Sequence, residues 1–291
     1  MYSTHTLFHE GCAYLQTHTN YPRGEQEALV SQLLAWQFGF KRIDILVKKE
    51  FHATEEAITL WYSYLARLAQ YEPLQYITQT VEFGDITLLV SPDVLIPRPE
   101  TAEWVQRLIT YCQTLNFEPT QIIDLCTGSG CIAITLALAY PQARTEAWDI
   151  SHDALSIAQK NADTWKVPIA FFEGDILTKD IPISTTERVL LVSNPPYIPQ
   201  REASQMQANV LDYEPSMALF VPDNAPLLFY KRLAEIAEKI QPQIAVFEIH
   251  ENFSEAVMDL CAEIGFTNTT VWQDFHGKDR CVVGTNNTKQ A

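Results

Sequence analysis

The sequence predicts an α/β protein: a doubly wound, mostly parallel seven-stranded sheet, with a small all-helical N-terminal domain joined to it by a β-hairpin. Three observations carry this expectation. From Gln121 onward, short apolar runs of strand length alternate with amphipathic stretches of helix length, the pattern of a parallel sheet with crossover helices. Residues 1 to about 72 show helical periodicity and no strand alternation. Between these regions two strand-like runs are split by Gly84-Asp85, a hairpin signal.

Taken in order, Phe8, Cys12 and Leu15 mark a first helix, and Ala28, Leu29, Leu33 and Leu34 a second, with Tyr21-Pro22-Arg23-Gly24 as the break. Ile43, Ile45, Leu46 and Val47 suggest a short third helix; Ile58, Leu60, Tyr62, Leu65 and Leu68 mark a fourth. These make a domain over 1–72, whose expected use is partner recognition. Residues 73–100 form the linker, with Gln79–Phe83 and Ile86–Val90 as the hairpin strands. The domain over 101–291 opens with a helix near 101. Strands are expected near 121–125, 144–149, 168–172, 189–193 and 243–248, with helices near 130–139, 152–163, 225–239 and 253–264. An antiparallel pair near 268–273 and 279–284 closes the sheet.

In such sheets ligands bind beyond the carboxyl ends of the strands, and the distinctive motifs fall there. Cys126-Thr127-Gly128-Ser129-Gly130 joins the first core strand to its helix. Its glycines let backbone approach a ligand, and the helix start offers free N–H groups. Asp149 ends the second strand, where a carboxylate can accept both hydroxyls of a ribose. Asp175 and Ile176 end the third, suited to an adenine amino group and ring. Taken singly these have plainer readings: a turn, a helix cap that Ser151 would supply better, and a turn cap. Jointly they point to a nucleoside. Neither a GxGxxG fingerprint nor a second phosphate-binding turn is present, so S-adenosylmethionine fits better than a dinucleotide.

Asn194-Pro195-Pro196-Tyr197 follows the apolar run Val189–Ser193. An Asn side-chain oxygen and the Pro195 carbonyl can take both hydrogens of a planar NH2 group. Pro196 favours an extended shape at Pro195, and Tyr197 offers a flat face to a planar substrate. Methylation of an amide or amino nitrogen needs this arrangement, since in-line displacement depends on alignment and electrostatics. No strong base is required. His250 has three readings: a base, a residue lining the cleft, or a solvated side chain. The long segment Gln200–Asn224 reads as a lid or clamp, with Tyr213-Glu214-Pro215 as substrate contact or loop anchor.

The chain resembles the release-factor glutamine N5-methyltransferases in Pro73–Ile77, Val94–Thr101, Asp124–Ala133, Asn194–Ile198, Tyr213–Pro215 and Asp279-Arg280. The tetrapeptide alone is shared with adenine methyltransferases; with Ile96-Pro97-Arg98-Pro99-Glu100-Thr101 it becomes far more specific. The resemblance implies a Rossmann-like methyltransferase sheet, Asn194 to Tyr197 around the substrate glutamine, and Cys126 to Gly130, Asp149, Ile176 and Asn194 around S-adenosylmethionine. It also implies a helical domain that docks peptide-chain release factors, whose Gly-Gly-Gln loop enters the cleft. Two departures stand out: Cys126 where many relatives have Gly, and His250-Glu251-Asn252-Phe253-Ser254 where glycines are usual.

The bulk numbers weigh the rivals. A net charge of -16 disfavours an adenine-N6 nucleic-acid methyltransferase, which must flip a base and grip a phosphate backbone. A ribosomal-protein glutamine methyltransferase is a second rival, and Ile96–Thr101 together with the N-terminal helical bundle leans away from it. Six cysteines without a CxxC pair, no basic-then-apolar leader and no apolar run of spanning length together lead us to expect a cytoplasmic protein with reduced thiols. The triplets at Asn252, Asn268 and Asn286 are then chance glycosylation matches. Seven histidines without ligand spacing predict no metal.

Overall fold

The computed structural model describes residues 1–178 and 188–286, so Asn287 and Thr288 of the last triplet lie outside the described residues. The chain divides into two units, Met1–Thr80 with Gln207–Tyr213, and Val81–Met206 with Glu214–Ala291.

In the first unit the expected helices are α1 (Thr4–His18), α2 (Arg23–Phe38), α3 (Arg42–Leu46) and α4 (Glu55–Ala69), followed by α5 (Leu74–Thr78). Ser3 and Thr54 start α1 and α4 by accepting the backbone N–H groups of Thr6 and Ala57, and Gly39 ends α2 in the left-handed region. Leu7, Leu15, Val30, Leu33, Leu34, Trp61, Leu65 and Leu68 form the shared core, each leucine contributing about 1.5–3 kcal/mol by burial. The unit is not purely helical. Tyr2–Ser3 pairs antiparallel with Glu50–Phe51, a contact between distant segments too short for strand alternation to show. Helix α5 was likewise hidden, being one turn set by Pro73, whose carbonyl accepts from Tyr76 and Ile77.

The hairpin strands are β1 (Thr80–Phe83) and β2 (Ile86–Leu89). The Leu89 N–H donates to Asn161 Oδ1 at 2.7 Å, and the Trp165 indole donates to the Thr87 carbonyl at 2.9 Å. These bonds hold the hairpin to a helix of the second unit, α8 below. After α6 (Pro99–Thr114) come β3 (Gln121–Leu125), α7 (Cys131–Ala139), β4 (Arg144–Asp149), α8 (His152–Trp165), β5 (Ile169–Glu173) and β6 (Val189–Ser193). The long connection then folds as short 3-10 turns at Gln200–Gln205 and Ser216–Ala218 around α9 (Ala208–Leu211). Phe220–Val221 pairs in parallel with Ile198–Pro199. Helix α10 (Leu228–Ile240), β7 (Ile244–Glu248), α11 (Ser254–Glu263), β8 (Asn268–Gln273) and β9 (Asp279–Thr285) complete the chain.

The seven-stranded sheet has the order β8-β9-β7-β6-β3-β4-β5. Strands β3 to β7 are parallel, and β9 is antiparallel to both β7 and β8. Strands β3, β6 and β7 are buried along their whole length, as a sheet covered on both faces requires. Successive residues feed opposite layers: Ile122, Leu190 and Val246 pack with Trp104, Leu108, Ile132 and Leu136, while Ile123, Leu191 and Phe247 pack with Tyr230, Leu233, Ile236 and Val257. Among the described residues no helix is long and apolar enough to cross a membrane.

Candidate active site

Strand register builds the site. Leu125 lies opposite Trp148 on one side and Ser193 on the other, so Cys126, Asp149 and Asn194 leave the sheet side by side. Strand order reverses here, with β3 feeding a crossover to β4 on one side and β6 lying on the other, which opens a crevice at the carboxyl ends. Two bonds hold the ends in line: the Ser193 hydroxyl donates to the Leu125 carbonyl at 2.6 Å, and the Thr127 N–H to the Trp148 carbonyl at 2.9 Å. The crevice contains a cavity of about 230 Å³.

Backbone conformation accounts for the glycines of the β3–α7 loop. Cys126, Gly128 and Gly130 all have positive φ, at 64°, 54° and 81°. A Cβ added at Gly128, which lines the cavity, meets nothing within 4 Å. One added at Gly130 lies 3.2 Å from both Ala158 Cβ and Ile134 Cδ1. Gly128 therefore opens backbone to the cavity, whereas Gly130 lets α7 close on α8 and does not line it. Buried Asp124 ties the loop down: its Oδ2 accepts from the Thr127 hydroxyl at 2.6 Å and the Ala133 N–H at 3.2 Å. Burial pushes this carboxyl up to about 7.

Of the predicted cofactor contacts, Cys126, Thr127, Gly128, Ser129, Asp149, Asp175, Ile176 and Asn194 line the cavity. Asp149 accepts the Gly128 N–H on Oδ2 at 2.8 Å and the Ser151 N–H on Oδ1 at 2.9 Å. Burial raises it above the ordinary carboxylate range despite these donors. The cap of α8 is Ser151, whose hydroxyl accepts from the Ala154 N–H, so Asp149 is free to face the cavity. Asp175 caps its turn and also lies at the cavity. It accepts from the Leu177 N–H and the Thr178 hydroxyl.

Within the tetrapeptide, Asn194 and Pro196 line the cavity; Pro195 is buried and Tyr197 half-buried, and neither is part of the lining. The Tyr197 hydroxyl donates to Glu248 Oε1 at 3.2 Å. His250 is neither solvated nor part of the lining. It accepts the Asn252 N–H on Nδ1, so Nε2 carries the proton toward Glu202 Oε2 at 3.0 Å. Glu214 is a loop anchor: its buried carboxylate accepts from Arg98 Nη2 at 2.7 Å and the Ile96 N–H at 3.1 Å, while Pro215 beside it lines the cavity. The lining holds three carboxylates, Asp93, Asp149 and Asp175, and among the described residues no Lys, Arg or His. No group of three or more His, Cys, Asp or Glu among the described residues is placed to hold a metal ion.

Residues 107–213 match the Methyltransferase small domain family and residues 6–78 the PrmC N-terminal domain family. A Release factor glutamine methyltransferase of Bacteroides thetaiotaomicron is 38% identical over 262 residues, covering 89% of this chain and 92% of the relative. Proteins of the same name from Flavobacterium psychrophilum and Chlorobaculum tepidum are 37% and 34% identical, covering 83% and 89% of this chain and 85% and 88% of theirs. The chain belongs to the release factor glutamine methyltransferase family. Its fold is also that of the hMettl16 catalytic domain, solved in complex with MAT2A 3'UTR hairpin 6, with a TM-score of 0.52 at 13% identity, covering 79% of this chain and 83% of that one.

Several cavity residues of this methyltransferase were not singled out from sequence as site residues. Val94, Leu95, Pro97 and Thr101 belong to a run noticed only for its resemblance, and Ile150, Met217 and Phe229 carried no signal. Asn161 was also missed. Buried on α8, its amide donates to the Leu89 and Ser129 carbonyls, each at 3.0 Å, tying the hairpin to the glycine loop. Glu248 did leave a trace, as a carboxylate ending the apolar run Ile244–Phe247.

Proposed function

We propose that this methyltransferase transfers a methyl group from S-adenosylmethionine to the side-chain amide nitrogen (N5) of the glutamine in the Gly-Gly-Gln motif of peptide-chain release factors, in the cytoplasm. The observation that carries the reading is one cavity into which Asn194, the Cys126–Ser129 loop and Asp149 converge from adjacent strands. Its lining fits the cofactor. Three carboxylates with no basic side chain suit a cationic ligand and would repel a pyrophosphate. Gly128 leaves its backbone open, and each Asp149 oxygen, holding one N–H, keeps a lone pair for a ribose hydroxyl. When bound, S-adenosylmethionine supplies an electrophilic methyl group on a sulfonium.

The protein's own groups do the rest. Asn194 and the Pro195 carbonyl accept the two amide hydrogens, which draws electron density toward nitrogen and fixes its lone pair. An amide nitrogen is a weak nucleophile, so this polarisation and alignment supply most of the catalysis. Apolar Leu95, Pro97 and Pro196, none of them exposed, limit water at the cavity wall. The proton leaves after transfer, so the site needs no strong base, in keeping with His250 facing Glu202. Docking of the release factor falls to the helical N-terminal residues.

The test is methyl transfer from labelled S-adenosylmethionine to purified release factor, to the same factor with that glutamine replaced, and to duplex DNA. Label in the intact factor alone is expected; label in DNA would establish the adenine-N6 reading, and label in neither would direct attention to ribosomal proteins. Asn194→Ala should lower turnover at least about 100-fold with the fold intact, and full activity in that variant would overturn the assignment.

A further inference from the structure

Glu248 ends β7 beside β6, the strand that delivers Asn194. Glu248 is 2% exposed, and among the described residues no direct ion pair is formed to it, the charge of Arg280 acting on it only from beyond contact. Burying a carboxylate without a cation is costly unless donors surround it. Three do. Oε2 accepts from the Thr101 hydroxyl at 2.6 Å and the Trp104 indole at 2.7 Å, and Oε1 accepts from the Tyr197 hydroxyl at 3.2 Å. The donors come from two segments, α6 and the tetrapeptide. Thr101 lines the cavity at the start of α6, Trp104 lies one turn on, and Tyr197 closes the catalytic tetrapeptide.

The backbone of the same residue is also pinned. Tyr230 donates its hydroxyl to the Glu248 carbonyl at 3.2 Å and accepts the His250 N–H at 3.3 Å. The carboxylate thus hangs from a fixed strand end. The Tyr197 ring packs against the core layer that holds Tyr230 and meets the His250 ring edge-on, with centroids 6.3 Å apart. The bond to Glu248 is the one polar restraint on the phenol among the hydrogen bonds of the described residues.

We propose that Glu248 is a positioning residue for methyl transfer: through Tyr197 it fixes the tetrapeptide that carries Asn194, and it locks that tetrapeptide to the start of α6, where Thr101 lines the same cavity. This rests on the functional reading above. A carboxylate suits the post because every partner can donate. Glutamine would keep an oxygen for Thr101 and Trp104, the indole being a donor only. Its amide would then face Tyr197, whose hydroxyl would have to turn from donor to acceptor.

The experiment is a cycle of Tyr197→Phe, Glu248→Gln and the double variant, read by kcat, by KM for release factor, and by S-adenosylmethionine affinity. In parallel, 3-fluorotyrosine at position 197 is followed by fluorine NMR with Glu or Gln at 248. Tyr197→Phe should lower kcat about tenfold and leave cofactor affinity unchanged. Glu248→Gln should lower kcat by less, melt near the parent, and shift the fluorine resonance. The double variant should be no slower than Tyr197→Phe alone, because both changes remove one restraint. Losses that multiply, or a fluorine resonance unmoved by Glu248→Gln, would overturn the proposal. If the parent protein fails to methylate release factor, the functional reading fails, while the fluorine resonance still decides whether Glu248 holds Tyr197.

Discussion

The two glycines of the β3–α7 loop should fail in different ways when each is changed to alanine. Both sit at positive φ, 54° at Gly128 and 81° at Gly130, where an L-residue costs about 1–2 kcal/mol. At Gly128 that is the whole folding cost, since the new methyl meets nothing within 4 Å. At Gly130 the methyl would lie 3.2 Å from Ala158 Cβ and from Ile134 Cδ1, and 3.4 Å from the Ala158 backbone. Ala158 is fully buried on α8 and Ile134 on α7, so relief requires moving one helix from the other. Such overpacking adds about 1–3 kcal/mol, giving Gly130→Ala a total of about 2–5 kcal/mol. Ligand binding should rank them in the reverse order, because the Gly128 methyl points into open space at the cavity wall and the Gly130 methyl does not. Urea unfolding would measure the first quantity and calorimetric titration with S-adenosylmethionine the second. A Gly130→Ala protein as stable as Gly128→Ala, or a Gly128→Ala protein with undiminished affinity, would refute the division of labour.

Two further outcomes are expected. Cys126 holds a left-handed conformation, φ 64°, so Cys126→Gly should relieve about 1–2 kcal/mol of backbone strain against about 0.5–1 kcal/mol of glycine entropy and the lost packing of the thiol; urea unfolding should place it within about 1 kcal/mol of the parent, and a loss above about 2 kcal/mol would count against the strain. Asp124 is raised in the folded state from 3.8 to about 7 by burial, so between these values the folded chain keeps a proton that the unfolded chain has released. Its contribution therefore favours folding at low pH and is lost as pH rises from about 4 to about 7, by roughly 4 kcal/mol in all. Unfolding free energies across that range should fall less steeply in Asp124→Asn than in the parent, and identical slopes would show that Asp124 is not the group responsible.

Much of this protein was legible in its residues because the signals were local. Apolar runs such as Val189–Val192, bounded by turns, specify buried strands, and all seven strands of the sheet lie within a residue or two of where periodicity puts them. Gly128, Asp149 and Asn194 were readable as neighbours at one cavity because each lies at or just beyond the end of such a strand, and in a parallel sheet the strand ends share one edge. What the tertiary structure alone decided depends on pairings across long stretches of chain. Register brought Leu125 level with both Trp148 and Ser193. Ion pairing joined Arg98 to Glu214 across 116 positions, making an anchor of a loop segment that read first as a substrate contact. Packing against α8 gave Gly130 its role, and three donors gathered by the fold made Glu248 tolerable in the core. A periodicity reports which face of an element is apolar, whereas the partner of a buried polar group is set by which distant segment the fold brings within about 3 Å of it.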